Sequence, residues 1–134
     1  ALAAQNATET DLQRMQECAD QILTHRGQSD VVDYDIEFHM ILAEATHNPL
    51  FVAVITGIQR IIKNCIRAEF YSQPTDIRRQ NEHRTIYEAV AARDSALARK
   101  VMKNHMKSVL DFLNLNRGLS TGEKAAKTKK KGLR

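Results

Sequence analysis

Four residues of this 134-residue chain have the types and positions to hold one metal ion together: Asp35, His39, His83 and His105. Asp35 and His39 are four apart, so on a helix their side chains stand one above the other and can grip the same ion. His83 lies three before Ile86 and four before Tyr87, and His105 lies three after Met102 and four before Val109. Both therefore share the apolar stripe of their segment. Burying such groups is costly unless they satisfy one another or share a ligand. Neutral imidazole is the commonest ligand for borderline divalent metals, and one carboxylate offsets part of a dication's charge in a poorly solvated site. On a metal that prefers five or six ligands, four protein donors leave positions for water or for an anion such as a carboxylate.

The same residues allow other readings. An Asp and a His four apart on a helix also form a simple surface pair, and a buried histidine is often a hydrogen-bonded core residue. In that case the chain is a metal-free helical dimerisation module. Three histidines around an open metal position can also lower the pKa of water, as in a metal-dependent hydrolase. Glu37 and Glu82 are the nearest bases by sequence, but each adjoins a candidate ligand, and helical neighbours point about 100° apart. His25 and His47 fall at predicted helix ends, where the negative end of the dipole accounts for them.

The elements that must position these groups are helices throughout, because proline and glycine are scarce and apolar residues recur at three and four. The first helix is predicted from Thr8, a hydroxyl cap with Glu9 and Asp11 in the first turn, to Gly27, with Leu12, Met15, Ala19, Ile22 and Leu23 inward. Ser29 or Asp30 opens a second helix to about Thr46, burying Val31, Phe38, Ile41, Leu42 and Ala45. Asn48 then caps, and Pro49 starts, a third helix to roughly Tyr71. Its stripe of Phe51, Val54, Ile55, Ile58, Ile61, Ile62 and Cys65 predicts the central element of a bundle. Residues 72–75 break the pattern at Pro74. A fourth helix is expected from near Asp76 to Arg93. A fifth, capped by Asp94 or Ser95, turns Leu97, Ala98, Val101, Met102, His105, Val109 and Leu113 inward. The fold class is all-α, an antiparallel bundle of about five to seven helices.

Charge separates two regions. Residues 117–134 hold seven of the 20 basic residues and one of the 16 acidic ones, leaving 13 basic against 15 acidic in residues 1–116, a formal −2. The folded part is therefore not a basic DNA-binding surface. Residues 1–116 are expected to form one domain, and the basic 117–134 tail, poor in apolar residues, to remain disordered and solvated rather than to contact nucleic acid. No run of eighteen apolar residues and no signal-peptide pattern occurs, so a soluble cytoplasmic protein is expected. Cys18 and Cys65 lack CxxC spacing and basic neighbours, and read as reduced and partly buried.

Three stretches resemble a known family, the effector-binding C-terminal (FCD) domain of FadR-like GntR transcription regulators. The run from Asp35 to Leu50, DIEFHMILAEATHNPL, resembles its signature of D, then FH, an alanine-rich turn and N-x-L. Glu82 to Val90, EHRTIYEAV, is similar to its EH stretch, and Asp94, Ala98 and Met102 to Met106 resemble its closing helix. The resemblance runs from Leu2 to about Leu113. It implies a helical bundle, homodimerisation and no enzymatic activity. It also implies one divalent ion, zinc or nickel foremost with manganese or iron as alternatives, held by Asp35, His39, His83 and His105. A small organic acid touching that metal is the implied effector, and Asn64 and Arg67 are candidates to hold its carboxylate. DNA would be bound only through a winged-helix domain not present in these residues.

Overall fold

The computed structural model describes residues 1–25, 28–70 and 77–111, without the side chains of 60, 62, 64–70 and 77–80. The described residues form six helices: α1 Leu2–Asn6, α2 Glu9–Thr24, α3 Val31–Glu44, α4 Pro49–Phe70, α5 Ile77–Ala91 and α6, residues 95–111. No strand is present among them, as the three-and-four periodicity predicts. The expected long first helix is preceded by a short one, the chain turning extended at Ala7 before it restarts.

Local chemistry explains the boundaries. Thr8 accepts a hydrogen bond from the Asp11 backbone N–H at 3.2 Å, and the Thr8 N–H donates to Asp11 Oδ2 at 2.9 Å, a reciprocal capping box that starts α2. The Asn48 side chain accepts from the Leu50 N–H at 3.0 Å and starts α4 with Pro49 in its first turn. Asp94 accepts from the Leu97 N–H at 2.9 Å and starts α6. Asp30 precedes α3 but makes no side-chain cap there. Gly27, the predicted stop of α2, and residues 72–75, the predicted break, lie outside the described residues.

The core sits between α2, α3 and α5. Met15, Cys18, Ala19 and Ile22 of α2 meet Val31, Val32, Ile36, Phe38 and Ile41 of α3 and Ile86, Ala89 and Val90 of α5, with Ala98, Val101 and Met102 of α6 at the side. Burying side chains of the size of Phe38, Met15 and Ile86 contributes about 1.5–3 kcal/mol each relative to exposure. The Cys18 thiol donates to the Tyr34 carbonyl at 3.1 Å, and burial, followed by the nearby Glu37 and Asp35 carboxylates, pushes it up to about 12. That makes it the inert thiol that its sequence context suggests; the Cys65 side chain lies outside the described residues.

Two stripes differ from expectation. Phe51, Val54, Ile58 and Ile61 of α4 are exposed, with Ile61 at 63% and its neighbour Leu50 at 67%, so α4 is not the buried centre of this single chain. It packs on α3 and leaves its apolar side open. Leu97, expected to face inward on α6, is likewise exposed. Periodicity reports that a helix face is apolar and says nothing about what covers it. Among the described residues no helix is long and apolar enough to cross a membrane.

Candidate metal centre

His39 of α3, His83 of α5 and His105 of α6 converge on one point, with Asp35 of α3 beside them. His39 Nε2 and His105 Nε2 are 3.2 Å apart, Asp35 Oδ1 lies 3.6 Å from His39 Nε2, and Asp35 Oδ2 lies 3.4 Å from His83 Nε2. One ring nitrogen from each of the three histidines falls within 4.8 Å of the others. Phe38 closes the inner side, its ring edge-on to His83 at 5.1 Å and to His39 at 5.8 Å between centroids. The helical spacing that put Asp35 and His39 on one side of α3 thus aims them at α5 and α6.

His83 is the deepest member. Its side chain is 2% exposed, and neither of its ring nitrogens has a hydrogen-bond partner among the described residues. A buried polar group left unpaired costs about 1–3 kcal/mol. A shared cation would offset that cost. Ligands bound at about 2.0–2.2 Å and about 90–110° apart stand roughly 3–3.5 Å from one another, close to the separations of 3.2, 3.4 and 3.6 Å found here. The three imidazoles thus suit a borderline divalent ion in donor chemistry, with the Asp35 carboxylate beside them, one oxygen toward His39 and the other toward His83.

Burial pushes the imidazoles of His39 and His105 down to about 4. For His39 the Asp35 carboxylate opposes burial and His83 adds to it; for His105 both neighbouring histidines add to it, against Asp35 and a hydrogen bond to Glu82. Burial works the other way on Asp35, pushing it up, but the facing imidazoles, His83 foremost, outweigh this and hold it well below the usual carboxylate range. At neutral pH His39 and His105 thus offer bare ring nitrogens beside the ionised Asp35 carboxylate, the protonation states that metal ligation requires of them.

Glu82 has a place that sequence reasoning did not assign. Its Oε2 lies 3.0 Å from His105 Nδ1 and its Oε1 accepts from Ser108 Oγ at 2.9 Å, so both carboxylate oxygens are engaged away from the centre. Glu37, the other base considered, is exposed. His25 caps the end of α2, its Nδ1 meeting the Gln21 carbonyl at 3.0 Å, as a helix-end role predicts. His47 sits in the turn just past the end of α3, at a φ of 51°, and meets Asp11 besides, Nε2 to Oδ2 at 2.9 Å. The side chains of Asn64 and Arg67 on α4 lie outside the described residues.

Comparison with known proteins agrees on one family. The FCD domain family model matches residues 1–108. The HTH-type transcriptional regulator LutR of Bacillus subtilis (strain 168) is 30% identical over 119 residues, covering 84% of this chain and 54% of the relative. An L-lactate dehydrogenase operon regulatory protein of Escherichia coli (strain K12) is 28% identical over 112 residues, 80% of this chain and 43% of its own length. The HTH-type transcriptional regulator YcbG of Bacillus subtilis (strain 168) is 32% identical over 114 residues, 82% of this chain and 46% of its own length. The chain spans about half the length of these relatives.

Proposed function

We propose that this chain, which belongs to the FCD domain family of GntR-type transcription regulators, senses a small carboxylate metabolite at a divalent-metal centre of Asp35, His39, His83 and His105. The observation that carries the reading is the buried His83. Neither of its nitrogens makes a hydrogen bond among the described residues, and it faces His39 and His105 with Asp35 Oδ2 3.4 Å from its Nε2. A divalent ion there, zinc or nickel before manganese or iron, supplies a positive charge with positions left for a carboxylate oxygen. Asn64 and Arg67 of α4 are the proposed further contacts of that carboxylate.

The chain's own part is mechanical. The four side chains come from three helices, so whatever occupies their meeting point holds α3, α5 and α6 in one arrangement. Such a ligand acts as a signal only by binding one arrangement better than another, since equal affinity shifts nothing. Operator binding belongs, in this reading, to a separate winged-helix domain of a cytoplasmic regulator, in keeping with relatives that are HTH-type regulators. Titration calorimetry of metal-loaded protein with a panel of hydroxy and keto acids, L-lactate first, is expected to give saturable binding to at least one, lost in His39→Ala. Saturable binding to none of them overturns the sensing role.

The open stripe of Leu50, Phe51, Val54, Ile58 and Ile61 supports homodimerisation, with a second copy as the cover for α4. Sedimentation of the wild type should give a dimer, and Val54→Glu, which sets a charge in the middle of the stripe, should shift it to monomer with its helix content kept. A wild type that sediments as monomer at high concentration overturns this.

A further inference from the structure

We infer that Glu82 is a positioning residue of the metal centre: by accepting a hydrogen bond from the Nδ1–H of His105 it fixes the tautomer that leaves Nε2 bare toward His39. The inference rests on the metal reading above and adds a member that holds no metal itself. An ionised carboxylate only accepts hydrogen bonds, so a 3.0 Å contact between Glu82 Oε2 and His105 Nδ1 requires the proton on Nδ1. A neutral imidazole carries a single N–H, so Nε2 then has the lone pair. That nitrogen is the one that faces the centre, 3.2 Å from His39 Nε2. His105 is almost fully buried, so no solvent competes for its ring, and the carboxylate on α5 decides its orientation.

Glu82 is in turn aimed by α6. Ser108 Oγ donates to Glu82 Oε1 at 2.9 Å while keeping a 3.1 Å contact with the Asn104 carbonyl of its own helix. His105 and Ser108 stand three apart on one side of α6, so a single carboxylate receives both and clamps that helix to α5. Hydrogen-bond partners of this kind set a metal ligand's tautomer and raise its basicity, and losing one costs about 10- to 100-fold in metal affinity.

The test reads the histidine tautomers of the metal-free protein by long-range proton–nitrogen correlation on isotope-labelled histidine, and zinc affinity by competition with a chromophoric chelator. The wild type is expected to show His105 with Nδ1 protonated. Glu82→Leu should move it to the Nε2–H form and weaken zinc binding about 10- to 100-fold. Glu82→Gln, whose amide oxygen still accepts, should keep the wild-type tautomer with a smaller loss, a rescue that a merely space-filling role for Glu82 would not produce. A wild-type His105 protonated on Nε2 overturns the inference without any variant, as does a folded Glu82→Leu protein that keeps the Nδ1–H form or binds zinc within twofold of wild type. Failure of the metal reading looks different: the tautomers come out as expected while the wild type takes up no zinc.

Discussion

Zinc added to the metal-free protein should raise its unfolding midpoint by about 10 °C, and His83→Ala should abolish the rise. A ligand bound only by the folded state stabilises by about 2.7 kcal/mol when its free concentration is 100 times Kd. For a domain of this size each kcal/mol moves the midpoint by roughly 3–5 °C. The effect is expected to be large because the donors are assembled before the metal arrives. Asp35, His39, His83 and His105 already stand close together, and the His83 nitrogens, which make no hydrogen bond among the described residues, would gain a ligand. His83→Ala will also lower the midpoint of the metal-free protein, since it opens a cavity beside Phe38. The increment caused by zinc is therefore the quantity to compare. His39→Ala is the gentler variant, because His39 is only partly buried, and it should lose most of the increment as well. A wild-type midpoint unmoved by zinc, nickel, manganese and iron alike would sink the metal centre and leave the cluster as a polar network in the core.

Why are these four side chains legible without coordinates when their supports are not? Each stands out locally, as a polar residue on an otherwise apolar stripe, and helical geometry converts that stripe into a direction. Three stripes pointing inward in a small bundle have few places to meet. The caps are legible for the same reason: Thr8, Asn48 and Asp94 act on backbone within three residues of themselves. Glu82 has no such local signature. Its partners His105 and Ser108 are 23 and 26 residues away, and only the packing of α5 on α6 brings them together. The Asp11 partner of His47 is hidden for a related reason, since it lies 36 residues earlier, across the α2–α3 contact. The α4 stripe is apolar, as its periodicity says, yet it is not buried, since burial depends on neighbours that a periodic pattern cannot name.

Acid should unfold the metal-free protein well before its carboxylates are titrated. His39 and His105 are held at about 4 in the fold, whereas an unfolded histidine titrates near 6.5. Between these values the unfolded chain binds more protons than the folded one, so stability falls as pH falls. The contribution is whole above pH ~6.5 and withdrawn by pH ~4. Each tenfold difference in proton affinity between the two states is worth about 1.4 kcal/mol, which puts each residue on the order of 3 kcal/mol. That is a large share of the roughly 5–15 kcal/mol that holds a domain together. Asp11 and Asp35 are also lowered in the fold, so their stabilisation is lost in the same direction but only as pH drops below the unfolded carboxyl value near 3.8. Urea unfolding at pH 7, 6, 5 and 4 should therefore show little change near pH 7 and a steep decline from about pH 6.5 down to pH 4, where histidine dominates. Zinc should shift the decline to lower pH, because protons must then displace the ion from the same nitrogens. Replacing His105 by Asn should flatten the slope by removing one of the two proton sites. A metal-free wild type as stable at pH 5 as at pH 7 would mean that His39 and His105 titrate as they do in the unfolded chain, and that their nitrogens are not held dry and unprotonated for a cation.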